Sequence, residues 1–262
     1  MVPRGYDEYL VPRLFGPWAE SLVDRLQPAR AIRALDVATG PGTVARVLSR
    51  RIGRRGQVAA CDGSPAMIAR AQSKPEIEKG APIAYTVAPA APLPYPDRSV
   101  DVVTCQQGLQ FFPDGKAALA EMKRVLVPGG RLAASVWCPP EDCTVFFAYQ
   151  RALREAGQDE IANLMSIPFP RWTAEDVDAR AQEVGFAEVR VFDETRDLEF
   201  EGGIAQALQA FMGTPIGPLL AKLPPEAHAA IGAAAERTFQ PLLLDGIVRG
   251  PMRSWVLLGT AA

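Results

Sequence analysis

The chain has almost no histidine and no closely spaced pair of cysteines. His228 is the one histidine in 262 residues, and the four cysteines form no CxxC pair; they are Cys61, Cys105, Cys138 and Cys143. Zinc sites are built from clustered cysteine and histidine ligands, so we expect no metal site. We predict four reduced thiols in a cytoplasmic protein, and a surface position for His228.

The chain also lacks a strong charge imbalance and a long apolar run. Its formal net charge at pH 7 is −2, which does not favour a nucleic-acid partner. No stretch reaches the roughly eighteen apolar residues of a membrane-spanning helix, and the first residues lack the apolar core of a secretory signal. We therefore predict no membrane span and no nucleic-acid partner. The composition leaves the oligomeric state open.

Apolar runs alternate with helical spacing in the first half of the chain. The pattern predicts strands at 32–37, 57–61, 83–87, 100–105 and 131–137, with helices at 43–51, from Ser64-Pro65 onward, and at 115–126. This alternation predicts parallel βαβ units with right-handed crossovers. Outside it, the pattern predicts helices at 6–27, 146–156, 174–184, 205–212 and 226–243, strands at 188–192 (extending toward 200) and 253–259, and irregular structure at 157–170.

A glycine-containing turn joins the first predicted strand to the first helix of this region. Residues 35–42 read Leu-Asp-Val-Ala-Thr-Gly-Pro-Gly, and the free N–H groups at the following helix N-terminus suit an anionic group. Asp62 closes the next strand, where a carboxylate can accept from two ribose hydroxyls. Together they predict a nucleoside-containing cofactor at the carboxyl ends of a parallel sheet.

Four more motifs follow in order along the chain. They are Asp-Gly-Ser-Pro-Ala-Met at 62–67, Leu-Pro-Tyr-Pro-Asp-Arg-Ser-Val-Asp-Val-Val at 93–103, Val-Leu-Val-Pro-Gly-Gly-Arg-Leu at 125–132, and Glu-Val-Gly-Phe-Ala-Glu-Val at 183–189. With these motifs the sequence resembles the class I S-adenosylmethionine-dependent methyltransferases, in particular the ubiquinone/menaquinone-biosynthesis type that acts on small molecules. The likeness covers residues 30–140 well and 171–200 moderately.

The resemblance implies an α/β fold with a Rossmann-like sheet. Its seven mostly parallel strands would follow the order 3-2-1-4-5-7-6, the last strand antiparallel, with helices on both faces and helical lid insertions. It also implies a single methyltransferase domain over residues 1–262. The cofactor-binding core would be about 30–140, and the lid or substrate elements about 1–28, 138–170 and 201–248.

The resemblance further implies S-adenosyl-L-methionine as cofactor and S-adenosyl-L-homocysteine as product. Asp36 and the turn would hold the methionyl amino and carboxylate groups, Asp62 both ribose hydroxyls, and Gly63 and Met67 the adenine. The predicted cofactor-binding residues are Asp36, Ala38, Thr39, Gly40, Pro41, Gly42, Asp62, Gly63, Met67, Pro89, Ala90, Ala91, Gln106, Gln107 and Phe111.

The sequence departs from the family pattern at two of these positions. Ala38 stands where many relatives have glycine. Pro89 stands where the family has an aspartate that accepts from the adenine amino group, and proline brings neither that acceptor nor an N–H. The amides of Ala90 and Ala91 remain as candidate partners of the base.

Three glutamines follow the fourth predicted strand, in residues 106–112, where a polar cluster is seldom core. We predict that the segment contacts cofactor or acceptor, whereas the N-terminal aromatic residues fit either a helix core or a site. The predicted substrate residues are Tyr6, Tyr9, Phe15, Gln107, Gln110 and Trp137. Glu141 and Asp142 are interpreted as a solvated loop, and no catalytic residue is assigned.

The predicted function is methyl transfer to a small hydrophobic or aromatic acceptor, driven mainly by positioning. One alternative is a protein of this fold that binds the cofactor without transferring methyl, such as a cyclase-like enzyme or a binding module. Another is a dinucleotide enzyme, because residues 40–45 fit a loose GxGxxA pattern. Against the dinucleotide, Asp36 suits the positive amino group of methionine better than a pyrophosphate.

Overall fold

The computed structural model describes residues 6–262, which fall into two compact units. The core unit comprises Phe15–Val136, Trp172–Asp193 and Trp255–Ala262. The insert unit comprises 6–14, Trp137–Arg171 and Glu194–Ser254. The predicted lid segments 138–170 and 201–248 fall in the insert unit, whereas the chain from Phe15 to Leu26 falls in the core unit. The interpretation of residues 1–262 as a single domain stays a prediction.

Among the described residues, eight strands form one sheet in the order β3-β2-β1-β4-β5-β8-β6, and the short β7 pairs with β8. The bounds are β1 Arg33–Val37, β2 Gln57–Asp62, β3 Ile83–Val87, β4 Val100–Gln106, β5 Leu126–Trp137, β6 Phe186–Phe200, β7 Leu243–Leu244 and β8 Ile247–Ala261. Strands β1 to β5 pair in parallel. The predicted Rossmann-like fold and strand order are confirmed, with β7 as one strand more than the predicted seven.

Helices of the described chain connect these strands. They are a π-helical segment Tyr6–Phe15, α1 Gly16–Leu26, α2 Thr43–Ile52, α3 Pro65–Gln72, α4 Gly115–Val125, α5 Thr144–Glu155, α6 Asp159–Leu164, α7 Ala174–Glu183, α8 Gly203–Met212, α9 Gly217–Leu220 and α10 Pro225–Thr238. Short 3₁₀ turns lie at Leu109–Phe111, Pro140–Asp142 and Gln240–Leu242. No helix within residues 6–262 has the length and apolar character needed to cross a bilayer.

The structure corrects the sequence-based predictions where tertiary contacts or turn chemistry prevail. Residues 157–170, predicted as irregular, contain α6, in which Ile161 and Ala162 are buried. Gln150 of α5 donates to the carbonyl of Ala162 over 3.0 Å, a contact that local periodicity does not reveal. The helix predicted over 226–243 ends at Thr238, shortly before Pro241, and the last strand begins at Ile247 instead of 253.

Strand β5 begins earlier than predicted because it contains a bulge. Val100 pairs with Leu126, and the next pairing joins Val102 to Arg131. The residues between Leu126 and Arg131 include Pro-Gly-Gly, a turn-forming sequence. A bulge therefore accommodates this turn inside the strand.

Side-chain alternation gives the core-unit sheet two apolar faces. Leu35 and Val37 of β1 pack in the same core as Leu119 and Met122 of α4. Ala34 packs on the other face, in a core that contains Leu22 of α1 and Leu48 of α2. Successive strand residues point to opposite faces, so Asp36 shares the face of Ala34 and lies on the side of α1 and α2.

Gly108 lies where a side chain has no room. A Cβ added there would lie 2.7 Å from Cys105 Sγ and 2.8 Å from Ala38 Cβ. Because Cys105 is fully buried, the overlap cannot be relieved at a flexible surface. We predict that Gly108→Ala lowers the free energy of unfolding by about 1–3 kcal/mol, measured by denaturant titration.

Gly232→Ala is the matched control for this substitution. Gly232 lies within α10, and a Cβ there would meet nothing within 4 Å. Alanine is the better helix former by about 1 kcal/mol, so the control should be neutral or stabilising. Equal destabilisation of both variants would contradict the packing argument.

Candidate functional site

A buried carboxylate organises the turn between β1 and α2. Asp36 is 1% exposed. Its Oδ2 accepts from Thr39 Oγ1 over 2.6 Å and from Ala45 N over 3.1 Å. Its Oδ1 accepts from Thr104 Oγ1 over 2.7 Å. The three donors come from the turn, from α2 and from β4, so this one side chain fixes the turn against two neighbouring elements.

The two glycines of the turn, Gly40 and Gly42, differ in what surrounds them. Gly40 has φ +55° and Gly42 φ +82°, conformations that L side chains rarely adopt. A Cβ added at Gly42 would lie 2.6 Å from Tyr85 Oη, whereas one added at Gly40 would meet nothing within 4 Å. The backbone at Gly40 therefore faces open space, and Tyr85 of β3 covers the turn at Gly42. Sequence reasoning missed Tyr85 because a tyrosine in a strand gives no local signal of such a contact.

Asp62 stands at the end of β2, beside this turn. Its Oδ2 accepts from Gly40 N over 2.9 Å and its Oδ1 from Ser64 N over 2.8 Å. A carboxylate offers about four acceptor positions, so two remain for further donors. The predicted neighbours lie close by in the chain: a Cβ added at Gly63 would meet nothing within 4 Å, and Met67 N donates to Ser64 Oγ over 3.3 Å at the start of α3.

The loop after β3 begins next to Asp62. Ala88 N donates to the carbonyl of Asp62 over 3.0 Å. Pro89, Ala90 and Ala91 follow, with Pro89 exposed and the two alanines partly exposed. Three predicted cofactor residues therefore lie in the loop that begins beside Asp62.

The end of β4 contributes the predicted glutamines. Gln106 Nε2 donates to the carbonyl of Phe15 over 3.0 Å. Gln106 Oε1 is buried and has no hydrogen-bond partner within the described part of the chain. Gln107 has φ +53° and is 7% exposed, and its N–H donates to Ser135 O over 3.0 Å. Phe111 is 52% exposed.

Ser135 is a further polar residue at this end of the sheet that sequence reasoning missed. It pairs in register with Gln106 and is 3% exposed. Its Oγ has no hydrogen-bond partner among the residues described. A serine inside the apolar run Leu-Ala-Ala-Ser-Val-Trp is a signal that could have identified it.

The predicted substrate residues are divided between the two units. Phe15, Gln107 and Gln110 lie in the core unit, and Tyr6, Tyr9 and Trp137 in the insert unit. Trp137 is 3% exposed, and the two tyrosines are partly exposed. The substrate roles of all six stay predictions.

The structure also locates the histidine, the two acidic residues and the cysteines considered from sequence. His228 is exposed, as predicted. Glu141 pairs with Arg171 over 2.6 Å, and Asp142 with Arg253 over 3.2 Å. All four cysteines are free and buried, and burial raises the pKa of the Cys61 and Cys143 thiols to about 12. Residues 6–262 contain no cluster of histidine, cysteine, aspartate and glutamate suited to a metal ion.

Comparison with known proteins finds similarity to methyltransferases. Residues 35–134 match a family model described as a methyltransferase domain. The demethylmenaquinone methyltransferase of Thermus thermophilus is 38% identical over 123 residues, which cover 47% of this chain and 55% of that protein. The ubiquinone/menaquinone biosynthesis C-methyltransferase UbiE of Saccharophagus degradans is 34% identical over 134 residues, covering 50% and 53%.

A solved structure shows the same fold over nearly the whole chain. Phosphoethanolamine N-methyltransferase 2 of Haemonchus contortus, in complex with S-adenosyl-L-methionine, superposes with a TM-score of 0.63 at 18% identity, covering 98% of this chain and 56% of that chain. The chain spans about half the length of the curated relatives that it matches. Residues 35–134 thus match a methyltransferase domain, and about half of this chain is similar to methyltransferases of the ubiquinone/menaquinone-biosynthesis type.

The pKa of the Asp36 carboxyl predicts that the contribution of this residue to stability depends on pH. Burial, opposed by hydrogen bonds from Thr39, Thr104 and Ala45, raises its pKa from 3.8 to about 6. A carboxyl with a raised folded-state pKa binds its proton more tightly in the folded protein. Its contribution to the free energy of unfolding is therefore fully present below pH 3.8 and is lost as the pH rises to about 6.

The difference in free energy of unfolding between wild type and Asp36→Asn isolates this contribution. We expect the difference to fall from pH 3.8 to about 6 and then to level off. Glu121→Gln is the control of opposite sign, because the hydrogen bond from Arg124 lowers the pKa of Glu121. A wild-type minus Asp36→Asn difference that rises with pH would refute the assignment.

Proposed function

We propose that this protein transfers a methyl group from S-adenosylmethionine to a small, hydrophobic, quinone-type acceptor. The observation that carries the proposal is the Asp62 carboxylate, which retains two acceptor positions beside the open backbone of Gly40 and Gly63. This arrangement lies in the segment that matches the methyltransferase model. The relatives named as quinone methyltransferases support both the reaction and the acceptor class.

The residues present fit the nucleoside and amino-acid parts of this cofactor. Asp62 has acceptor positions for two ribose hydroxyls, which are hydrogen-bond donors. Gln106 Oε1, buried without a described partner, is an acceptor suited to the methionyl ammonium group. The Asp36 carboxylate instead accepts hydrogen bonds from Thr39, Thr104 and Ala45. We therefore propose that Asp36 contributes to cofactor binding by fixing the conformation of the turn.

Charge favours this cofactor over a dinucleotide. Asp36 and Asp62 flank the turn, and the pKa of Asp36 is raised mainly by burial and, to a smaller extent, by the nearby charge of Asp62. Two carboxylates disfavour a pyrophosphate at the same turn and favour a ligand with a sulfonium and an ammonium group. The dinucleotide interpretation, which rested on the GxGxxA pattern and on Asp62 about twenty residues further on, is therefore the weaker one.

The protein's own contribution to the reaction is binding and orientation. When bound, the cofactor supplies a methyl group already activated by its sulfonium. Asp62 would hold the ribose and the turn the amino-acid end, while residues 106–112 would order the acceptor side. Holding two reactants in line supplies a large part of the rate in such displacements. We propose that the three predicted lid or substrate segments, 1–28, 138–170 and 201–248, bind the acceptor; of these, 138–170 and 201–248 lie in the insert unit.

A labelled-methyl assay tests the proposed reaction. The purified protein is incubated with methyl-labelled S-adenosylmethionine and reduced naphthoquinols or benzoquinols that carry short prenyl tails. We expect label in the organic extract, dependent on the folded protein. S-adenosylhomocysteine binding without labelled product from any quinol would contradict this reaction and would favour the binding-without-transfer alternative.

Removing the Asp62 carboxylate should weaken cofactor binding. We predict that Asp62→Ala reduces the affinity for S-adenosylhomocysteine by about 10- to 100-fold in calorimetry, since charge-assisted hydrogen bonds to two hydroxyls are lost. Asp24→Ala is the control, because Asp24 is an exposed partner of Arg51 on the α1–α2 surface. Equal affinities of Asp62→Ala and wild type would show that the ribose binds elsewhere.

A further inference from the structure

We infer that Arg124 and Glu121 together position the loop 89–92, through which this chain recognises the base of its cofactor by main-chain groups alone. The inference rests on the proposed function, because it concerns the base of the same cofactor. It goes beyond that function in assigning the recognition to the backbone, and its positioning to two residues of α4.

The loop itself has no side chain that could form a hydrogen bond. Residues 89–92 read Pro-Ala-Ala-Pro. Proline has no N–H, so the loop's donors are the amides of Ala90 and Ala91, and its acceptors are main-chain carbonyls. Recognition of a purine edge by such groups depends on where the backbone is held, since no rotamer can adjust the contact.

The loop is fixed at its first end by Ala88. The Ala88 side chain is 8% exposed and belongs to the core that contains Leu119. Its N–H donates to Asp62 O over 3.0 Å. The beginning of the loop is therefore tied to the residue that we assign to the ribose.

The second end is fixed by a pair of side chains from α4. Leu93 is 4% exposed; its N–H donates to Glu121 Oε2 over 2.7 Å, and its carbonyl accepts from Arg124 Nη2 over 3.1 Å. Arg124 also donates to both oxygens of Glu121, Nε to Oε1 over 2.6 Å and Nη2 to Oε2 over 2.8 Å. Both main-chain groups of Leu93 are thus held by one planar ion pair.

Arg124 also forms hydrogen bonds to residues that follow Leu93. Its Nη1 donates to Tyr95 O over 2.9 Å and to Asp97 Oδ1 over 2.6 Å. Its guanidinium therefore makes hydrogen bonds to Glu121 and to three residues of the segment 93–97, through all three of its nitrogens. Lysine presents a point charge with three donors and cannot reproduce this planar set of bonds.

These contacts argue for positioning rather than for general stability. Arg124 is 30% exposed, and an ion pair at such a surface adds little to the stability of a fold. All of its partners outside α4 lie in the segment that follows the loop. The loop 89–92 has only four residues between two hydrogen-bonded ends, so its conformational freedom is small. Release of Leu93 would make the loop more flexible. Ligand binding would then carry the entropic cost of ordering it.

Two ligands that differ only in the base test this role. The dissociation constants of S-adenosylhomocysteine and of S-ribosylhomocysteine, which lacks adenine, are measured for wild type, Arg124→Met and Arg124→Lys. We expect both variants to lose about tenfold in affinity for S-adenosylhomocysteine and to keep their affinity for S-ribosylhomocysteine within about twofold. A structural defect of the whole site would weaken both ligands equally, and that result would overturn the inference.

Controls separate this inference from the proposed function. Arg50→Met removes an ion pair with Glu20 that touches no part of the loop, and it should bind both ligands as wild type does. Glu121→Gln, which preserves size and shape, carries the same comparison if Arg124→Met does not fold. Wild type that binds neither ligand would refute the proposed function. Wild type that binds S-adenosylhomocysteine no better than Arg124→Met and Arg124→Lys would refute the role of Arg124.

Discussion

The site depends on one buried carboxylate, Asp36, that accepts hydrogen bonds from three parts of the core unit. Thr39 donates from the turn, Ala45 from α2 and Thr104 from β4. Burying a charge is costly unless donors surround it, and here the raised pKa shows that they offset the cost only in part. The three hydrogen bonds therefore tie the turn to α2 and to β4, at the energetic cost of a buried carboxylate.

The turn after β1 in turn binds the second carboxylate of the site, that of Asp62. Gly40 N donates to Asp62, and Thr39 N donates to Cys61 O over 2.9 Å, so the turn after β1 is bound directly to the end of β2. The carbonyl of Asp62 in turn accepts from Ala88 N, just before the loop 89–92 that we propose to recognise the base. The three segments proposed to hold the amino-acid end, the ribose and the base are thus hydrogen-bonded to one another at the carboxyl ends of parallel strands.

Local patterns predicted much of this architecture, and non-local contacts account for what they missed. The strands β1 to β5 were predictable from apolar periodicity, and Asp62 from its place at a strand end. Helix α6 was not, because it is stabilised by burial against α5. Tyr85, Ser135 and Arg124 were missed for the same reason: each acquires its importance from residues far away in the chain. Pro89 is different, because the resemblance implies its departure from the family pattern, whereas the hydrogen bonds of Arg124 to the residues after its loop come only from the structure.

The most direct test of the account is a crystal structure of the protein with S-adenosylhomocysteine. The account predicts both ribose hydroxyls within hydrogen-bond distance of Asp62, while Asp36 keeps its bonds to Thr39, Thr104 and Ala45. It also predicts that the base forms its hydrogen bonds to the loop 89–92 through main-chain atoms. A ribose bound away from Asp62, or an Asp36 carboxylate that leaves the turn to bind the ligand directly, would contradict it.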